Sequence, residues 1–371
     1  MKICYIGDGD SIHNHFMVEW FARRGHQVLF LTDTPEHAPA CEVRQVAPRH
    51  GFGVLRHLYA TARVRRAIRQ WKPDIVHAHN VTGYGYWGGL SGFSPLVMTA
   101  WGSDLNVLAR RSPLVRTIVS FCLKRADLIT ADARDLCRTA QELAGNKADV
   151  RLMQWGVELP LFDIALPGEV RNRFRGDADF VFISTRRLRP LYNLDVILRA
   201  FARALPEIPR SRLVIVGQDT LYDSLRRLTQ DLGIEDRVLF TGWITRDEMV
   251  AALLSADAFV SVPSTDSTAL SLLEAFAARL GVIVADLPAN REWVEPGQNG
   301  LLVPPGDGDS LRDAMIQIGR SPQLARQWGE RNRELARERG DRDRELRRLE
   351  SWYSELSATA GRSRTAQIVD V

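Results

Sequence analysis

The sequence predicts an α/β fold with two doubly wound parallel sheets, and three observations support this. A chain of 371 residues is longer than one hydrophobic core usually supports. Short apolar runs rich in β-branched residues alternate with helix-length amphipathic stretches, which indicates βαβ units. The alternation restarts at Phe180, after a polar passage over 156–179. We therefore expect two sheets that face each other across a cleft, with ligands at the carboxyl ends of their strands.

The first domain, expected over residues 1–158, opens on an apolar strand and then alternates strands with helices. Its strands are predicted at 3–7, 28–32, 75–78, 96–100, 128–131 and 151–153. Its helices are predicted at 13–24, 54–70, 114–124 and 133–143.

The second domain, expected over residues 159–339, repeats the pattern. Its strands are predicted at 180–184, 213–216, 238–240, 259–262, 282–285 and 300–303. A helix at about 340–357 is expected to pack back on the first domain. Residues 358–371 offer little to bury, so we expect a disordered tail.

The composition is typical of a soluble globular protein, with 45% apolar and 25% charged residues. The longest apolar runs are strand-sized, far below the roughly 20 residues of a membrane-spanning helix. The first strand is followed at once by Asp8 and Asp10, unlike a signal peptide, so we expect a cytoplasmic protein. The four cysteines are scattered, which favours reduced thiols over a zinc site or a disulfide framework.

Charge is unevenly distributed along the chain. Residues 1–160 carry 20 Lys and Arg against 14 Asp and Glu, and the remainder carries 29 against 31. Part of the excess lies on one predicted helix, with arginines at 56, 63, 65, 66 and 69. Two interpretations remain open: a solvated helix face, or a surface that meets an anionic membrane or acceptor. A nucleic-acid partner is not expected.

The segment from Pro263 to Glu274 has the layout of an anion-binding helix start. Small and hydroxylic residues follow a strand and precede a helix expected to end near Gly281. Backbone N–H groups at a helix start are unpaired and lie at the positive end of the helix dipole, where a diphosphate is stabilised. Asp266 and Glu274 could hold two hydroxyl-bearing parts of one ligand. Alternatively, Ser271 and Glu274 form a capping box and Asp266 is a turn residue.

A series of motifs in this order resembles the retaining glycosyltransferases of family 4, which have the GT-B fold of two Rossmann-like domains. The donor signature is carried by Pro263-Ser264, Asp266, 273–277, 281–285, Pro288, Asn290 and Glu292. Further similar segments are Arg187-Leu188, 193–195, 213–217, 238–242 and 299–307, and in the first half 24–26, 77–79, 99–102, 126–127 and 156–157. The resemblance covers about residues 1–320.

The resemblance implies a donor site in the second domain. Glu274 would bind the ribose hydroxyls of the nucleotide and Asp266 the transferred sugar. Arg187 would stabilise the departing phosphates. The remaining donor contacts would come from Gly217, Trp243, Ile244, Thr268, Ala269 and Leu270. The resemblance also implies that neither a metal nor another cofactor is needed.

The sequence departs from the family pattern at several positions. Tyr192 stands where the family usually has a phosphate-binding lysine, so Arg186, Arg189 or Arg291 would have to replace that cation. Asp266 stands where a glutamate is commoner, Ala269 replaces a frequent glycine, and Trp101 replaces a histidine.

Candidate residues for the acceptor or cleft come from the first domain. They are Asp10, Ser11, His13, His79, Trp101 and Asp104. His77 and His79 lie on one face of a predicted strand, where a packed role competes with a cleft-lining one.

The predicted function is therefore transfer of a sugar from a nucleotide diphosphate to a glycan, lipid-linked or small-molecule acceptor, in polysaccharide or glycoconjugate biosynthesis. Three alternatives remain open: a nucleotide-binding protein of this fold that has lost transfer, a sugar phosphorylase, or a nucleotide-sugar epimerase. The location expected from these features is the cytoplasm, with peripheral attachment to the inner membrane face as an option.

Overall fold

The computed structural model of the chain describes residues 1–35, 41–48 and 53–369, with side chains up to residue 360. The chain divides into two compact units. The first unit contains Met1–Trp155 together with Arg344–Val371, and the second contains Gly156–Asp343.

The first unit is built on a parallel sheet of seven strands in the order β3-β2-β1-β4-β5-β6-β7. Its strands are β1 (Lys2–Ile6), β2 (Gln27–Thr32), β3 (Glu42–Gln45), β4 (Ile75–His79), β5 (Leu96–Thr99), β6 (Leu128–Ala131) and β7 (Val150–Leu152). Its helices up to this point are α1 (Ile12–Arg23), α2 (Gly53–Trp71), α3 (Tyr84–Ser91), α4 (Ala109–Arg111), α5 (Pro113–Leu123) and α6 (Arg134–Ala144), with a π-helical turn at Ser103–Leu108.

The second unit is built on a parallel sheet of six strands in the order β10-β9-β8-β11-β12-β13. Its strands are β8 (Phe180–Ser184), β9 (Ser211–Ile215), β10 (Val238–Phe240), β11 (Ala258–Ser261), β12 (Gly281–Ala285) and β13 (Gly300–Val303). Its helices are α7 (Gly168–Arg175), α8 (Leu194–Ala204), α9 (Tyr222–Asp231), α10 (Arg246–Leu254), α11 (Leu270–Ala277), α12 (Pro288–Arg291), α13 (Gly308–Gly319) and α14 (Pro322–Arg339), with 3-10 turns at Leu159–Phe162 and Pro190–Tyr192.

The second sheet is covered by apolar cores on both faces. Alternate residues of β8 point to opposite sides: Phe180 and Phe182 lie in one core, and Val181 and Ile183 in the other. Strands buried on both faces are apolar at every position, which explains why these runs are continuous in the sequence. The predicted doubly wound α/β class is therefore confirmed.

Helix α15 (Arg342–Val369) leaves the second unit and continues into the first. Its residues Leu346, Leu349 and Tyr353 are buried in the core that contains Tyr5 and Phe21. The Tyr353 ring stacks on Phe21 with ring centroids 5.3 Å apart. A segment distant in sequence thus completes the first core.

Several features differ from the sequence prediction. Helix α3 (Tyr84–Ser91) was not predicted, and α11 ends at Ala277 instead of near Gly281. Strand β3 was not predicted, because Glu42–Gln45 is an exposed edge strand whose polar residues lack an apolar pattern. The expected disordered tail at 358–371 instead continues α15 as far as Val369. Its residues include good helix formers such as Ala358 and Ala360, and an existing helix extends without a new nucleus. Residues 370 and 371 lie outside the described part.

No helix in the described part of the chain is both long and apolar enough to cross a membrane.

Candidate functional site

Each sheet has a switch point, where neighbouring strands lead to crossovers on opposite sides. In the second sheet β8 pairs with β11, and in the first sheet β1 pairs with β4. Open α/β sheets bind ligands in the crevice beyond the carboxyl ends of such strands. Most of the predicted donor residues follow β8 and β11, whereas Gly217 follows β9 and Trp243 follows β10. Among the predicted acceptor residues, Asp10, Ser11 and His13 follow β1 and His79 ends β4.

Helix α11 begins directly after the loop that follows β11. Its N-cap is Ala269, whose side chain makes no capping hydrogen bond. Ser271 lies inside the helix, and its Oγ accepts a hydrogen bond from Arg186 Nη1 at 2.8 Å. The capping-box interpretation of Ser271 and Glu274 is therefore wrong, because the helix starts one residue before Ser271. The N–H groups of Leu270 and Ser271 have no side-chain cap from Ala269 and can bind an anion, whereas the Leu272 N–H donates to the Ala269 carbonyl at 3.0 Å.

Arg186 lies in the centre of this region, with only 9% of its side chain exposed. Its Nη2 donates to the Asp266 carboxylate at 2.6 Å. Its guanidinium lies over the Tyr192 ring, 4.3 Å from the ring centroid. Its buried Nε has no hydrogen-bond partner among the described residues. One buried cation is therefore held over an aromatic ring with a donor still available.

Arg187 occupies a different environment, with 60% of its side chain exposed. Its Nε donates to Asp219 at 3.0 Å, and Arg189 Nε donates to the same carboxylate oxygen at 2.8 Å. The structure places Arg187 beside the switch point but not among the groups that contact Asp266.

Glu274 lies on α11, five residues after the N-cap. Burial raises the pKa of its carboxyl to about 7, although the positive charges of Arg342, Arg246 and Arg186 act to lower it. No hydrogen bond or ion pair of this carboxylate is found within the described residues. A carboxylate kept near its ionisation point and without a partner is a candidate for binding a ligand.

Asp266 precedes α11 in the loop after β11. Burial raises the pKa of its carboxyl, and the charge of Arg186 together with the N–H of Ser267 opposes that shift. The ion pair with Arg186 shows that Asp266 is more than an ordinary turn residue. Asp266 and Glu274 do not contact each other, but both lie near Arg186.

The other predicted donor residues lie around the same switch point. Gly217 follows β9 with a φ of +110°, and its N–H donates to the Gly242 carbonyl at 3.1 Å. Trp243 is 78% exposed, whereas Ile244 packs partly against the core. Thr268 Oγ1 accepts a hydrogen bond from Trp293 Nε1 at 3.3 Å. Leu270 is the first residue of α11.

The predicted acceptor residues of the first unit separate into two groups. His13, His79 and Trp101 share an aromatic cluster, with ring centroids 5.6 Å apart for His13 and Trp101 and 6.2 Å for His79 and Trp101. Asp10 is exposed, and Ser11 is the N-cap of α1 without a side-chain capping bond.

Asp104 is fully buried and has a structural part in this region. It accepts backbone hydrogen bonds from Val81 at 2.8 Å, Trp101 at 3.1 Å and Leu105 at 2.9 Å. Burial raises the pKa of its carboxyl, and these backbone N–H groups oppose the shift. Asp104 is therefore occupied in fixing the loop that carries Trp101, and the prediction that it lines the cleft is not supported by its contacts.

The two histidines of β4, His77 and His79, differ in their hydrogen bonds. His77 Nε2 is hydrogen-bonded to Thr99 Oγ1 at 2.6 Å and its Nδ1 to the Tyr353 hydroxyl, which is the packed role. Both nitrogens of His79 are buried without a partner in the described part of the chain.

Sequence reasoning did not select three residues of these sites. Trp155 joins the aromatic cluster, with its ring centroid 4.6 Å from that of His13. Ser271 was considered only as a cap, and Tyr353 was not considered at all. The Trp155-Gly156 pair next to a predicted domain boundary could have indicated Trp155, whereas nothing local indicates Tyr353.

Comparison with known families agrees with this geometry. The model of the family "Glycosyl transferases group 1" matches residues 170–335, and that of "Glycosyl transferase 4-like" matches residues 2–133. The chain belongs to the group 1 glycosyl transferases. This glycosyltransferase is therefore an enzyme of the family 4 type, as its motifs predicted.

Two curated relatives extend over most of the glycosyltransferase. The N-acetyl-alpha-D-glucosaminyl L-malate synthase of Bacillus anthracis is 23% identical over 346 residues, covering 89% of this chain and 90% of the relative. The GDP-mannose-dependent alpha-(1-6)-phosphatidylinositol monomannoside mannosyltransferase of Mycolicibacterium smegmatis is 26% identical over 326 residues, covering 80% and 82%.

Solved structures show the same fold. Sucrose-phosphate synthase from Thermosynechococcus elongatus superposes with a TM-score of 0.82 at 20% identity, covering 97% of this chain and 100% of that chain. Anabaena HepE in complex with UDP-glucose superposes with a TM-score of 0.80 at 20% identity, covering 96% and 100%. The glycosyltransferase thus has the GT-B fold.

The described part of the glycosyltransferase contains four free cysteines, Cys4, Cys41, Cys122 and Cys137. Within the same residues, no group of three or more histidine, cysteine, aspartate or glutamate side chains could hold a metal ion.

Proposed function

We propose that this enzyme transfers a sugar, with retention of configuration, from a nucleotide diphosphate held at the switch point of the second sheet. The observation that carries the proposal is the group formed by Arg186, Asp266, Glu274 and the uncapped start of α11. It combines a buried cation, two carboxylates and a helix N-terminus, which are the groups that a diphosphate joined to two polyhydroxylated rings requires.

The diphosphate would lie at the start of α11. The N–H groups from Thr268 to Leu270 would donate to its oxygens, and Arg187 would neutralise the charge that develops on the leaving group. Arg186 would supply the second cation, in place of the lysine that the family carries at the position of Tyr192. The Tyr192 ring under its guanidinium supports this assignment, because the ring holds the guanidinium in place while the ion pair with Asp266 leaves its Nε without a partner in the described part of the chain.

Glu274 would accept two hydrogen bonds from the ribose hydroxyls. Its half-buried carboxylate lacks a partner in the described part, and a ribose would supply one. Asp266 would accept hydrogen bonds from the transferred sugar while Arg186 holds it in place. Trp243 and Ile244 would lie against the base, with Gly217 allowing close approach of the backbone after β9.

The donor phosphate itself would act as the base in the transfer. One of its oxygens would take the proton of the acceptor hydroxyl while that hydroxyl oxygen bonds to the anomeric carbon, on the face from which the phosphate leaves. Charge neutralisation by Arg186, Arg187 and the helix start supports transfer without a metal ion. The acceptor would lie at the switch point of the first sheet, near Asp10, Ser11, His13, His79 and Trp101.

Transfer can be tested with a panel of nucleotide sugars and a chelator. We expect at least one donor to be hydrolysed slowly or transferred in the presence of EDTA, with an α-linked product from an α-linked donor by nuclear magnetic resonance. Absence of turnover together with absence of nucleotide binding would refute the proposal.

A second candidate function is nucleotide binding without transfer. The exposed Arg187, engaged with Asp219, is the observation that favours it. Calorimetry would then show tight binding of uridine or guanosine diphosphate that Glu274→Ala abolishes, while no donor or acceptor gives turnover. Phosphorolysis and epimerisation are separated from transfer by mass spectrometry of products made with and without phosphate.

A membrane role is proposed for α2 of the first unit. Its first turns expose Val54, Leu55 and Leu58 by 74%, 71% and 59%. Arg66 and Arg69 follow on the same helix face, since residues three and four apart share a face. Exposed apolar side chains next to arginines fit an anionic membrane surface, and this would place the enzyme at the cytoplasmic face of a membrane with a glycan or lipid-linked acceptor.

Vesicle sedimentation tests the membrane role. We expect binding to phosphatidylglycerol vesicles that falls with salt and with the Leu55→Ser/Leu58→Ser pair. Ile164→Ser, which changes an exposed apolar residue of the second unit, serves as the matched control. Equal retention on neutral and anionic vesicles would contradict the proposal.

A further inference from the structure

An aromatic cluster occupies the switch point of the first sheet. It consists of His13 after β1, His79 at the end of β4, Trp101 after β5 and Trp155 after β7. Successive ring centroids are 4.6 to 6.2 Å apart. Four chain segments thus bring their rings together at the place where an open sheet takes a ligand.

The cluster is not a completed apolar core. His79 is 1% exposed, and neither ring nitrogen has a partner within the described residues. The buried Nε1 of Trp101 also lacks a partner there. Burial lowers the pKa of His79 to about 3, so the ring is neutral and keeps one donor and one acceptor nitrogen. Buried polar groups in native proteins are normally hydrogen-bonded, so these atoms indicate a polar ligand or the water that mediates its binding.

Three rings of the cluster are accessible to a ligand. His13, Trp101 and Trp155 are partly exposed, whereas His79 is buried. The indole face carries negative charge density and attracts weakly positive C–H groups, such as those of a pyranose ring. Few side chains other than aromatic ones offer a flat apolar surface beside unpaired polar atoms.

Carboxylates lie in the loops around the cluster. Trp155 Nε1 donates to Asp132 at 3.1 Å, and Asp104 accepts from the Trp101 N–H. Asp8 lies in the loop after β1, where its carboxylate accepts from Asp10 N–H at 3.0 Å. These contacts offer no cation to a carboxylate or phosphate ligand, whereas a neutral ring needs none.

We propose that the acceptor is a neutral sugar ring, stacked on Trp101 and Trp155, with its hydroxyls directed to the polar atoms of His79 and Trp101. This rests on the proposed transfer function and specifies its acceptor. It distinguishes a glycan, or a lipid-linked acceptor that presents a sugar, from a small organic acid or a phosphorylated alcohol.

Saturation-transfer nuclear magnetic resonance with the full chain and added uridine diphosphate tests this site. The probes are methyl α-D-glucopyranoside, methyl α-D-mannopyranoside and N-acetylglucosamine, with L-malate and glycerol 3-phosphate as anionic comparisons. We expect saturation transfer from the protein to the ring C–H protons of at least one pyranoside, and no saturation transfer to the anions. Transfer to an anion alone, or to no probe, would overturn the proposal.

Substitutions of the two tryptophans test where the sugar ring binds. Trp101→Ala and Trp155→Ala should each weaken pyranoside binding by about two- to tenfold, the value of one aromatic contact. Trp155→Phe should retain most of it, and Trp71→Ala, which removes a tryptophan of α2 outside the cluster, should leave it unchanged. Unchanged binding in both alanine variants would also overturn the proposal.

Calorimetry of nucleotide binding distinguishes a failure of the acceptor assignment from a failure of the proposed transfer function. If the wild type binds a nucleotide diphosphate but no pyranoside, the acceptor assignment fails and the donor site stands. If no nucleotide binds, the proposed function itself fails.

Discussion

The two switch points of this enzyme are built from different chemistry. The second sheet brings together Arg186, Asp266 and Glu274 at a helix start, whereas the first brings together rings around His79. A charged ligand needs fixed charges, because they neutralise it where water is excluded. A neutral ring needs flat apolar surface and a few polar atoms. One topology therefore presents two kinds of candidate site, one charged and one aromatic, and the side chains that follow its strands make the difference.

Substitution of Arg187 at the charged switch point is expected to have the largest effect on activity. Arg187→Ala should lower kcat by about 10²- to 10³-fold, because a fixed positive charge beside the leaving phosphate is lost. Steady-state kinetics with saturating donor measures this. Arg189→Ala is the matched control, since Arg189 pairs with the same Asp219. Equal losses in both variants would show that Arg187 acts only by holding Asp219.

A smaller effect is expected from the ionisation of Glu274. The carboxylate form is the one that accepts two ribose hydrogen bonds, and the pKa of the free group is raised to about 7. Raising the pH from 6 to 8 should therefore strengthen nucleotide binding by about tenfold, as the ionised fraction grows. Calorimetry across this range measures it.

Glu274→Gln is the control for this pH dependence. It should bind nucleotide more weakly than the wild type. Any dependence of binding on pH that remains then comes from ionisation of the nucleotide's own phosphate. A slope in Glu274→Gln as steep as in the wild type would assign the titration elsewhere.

Tyr192 should have a moderate effect on the charged site. Tyr192→Leu removes the ring beneath Arg186 and should weaken nucleotide diphosphate binding by about three- to tenfold, the range of a partly buried cation–π contact. Tyr192→Phe keeps the ring and should bind nearly as the wild type does. Nucleotide binding assays of both variants show whether the ring or the hydroxyl of Tyr192 matters. If Tyr192→Leu binds nucleotide as the wild type does, Arg186 does not contact the phosphates.

The smallest functional effect is expected from Tyr353. Tyr353→Phe leaves His77 Nδ1 and the Tyr5 hydroxyl without their buried partner, so the free energy of unfolding should fall by about 1–3 kcal/mol. Denaturant unfolding measures this, with Tyr59→Phe on exposed α2 as the control. Nucleotide binding should be unchanged, and a large loss would mean that the first unit also shapes the donor site.

More contacts of the proposed donor site than of the proposed acceptor site could be expected from the sequence, for a physical reason. Asp266, Ser271 and Glu274 are close in sequence, and a single loop and helix carry them. Arg186 was named only as one of three replacements for the missing lysine, because a sequence does not show which of several arginines turns inward. The proposed acceptor site rests on Trp101 and Trp155, which lie on separate segments.

The sequence by itself determined the α/β class, twelve of the thirteen described strands and the family, because these follow from local periodicity and from motifs in order. Only the tertiary structure decided which groups pack together: Arg186 over Tyr192, His79 beside Trp101 and Trp155, and Tyr353 against His77. The reason is that periodicity states which face of an element is buried, whereas partners come from segments that meet only when the chain packs. Hydrogen bonds and pKa shifts depend on those partners, and so does the chemistry of both switch points.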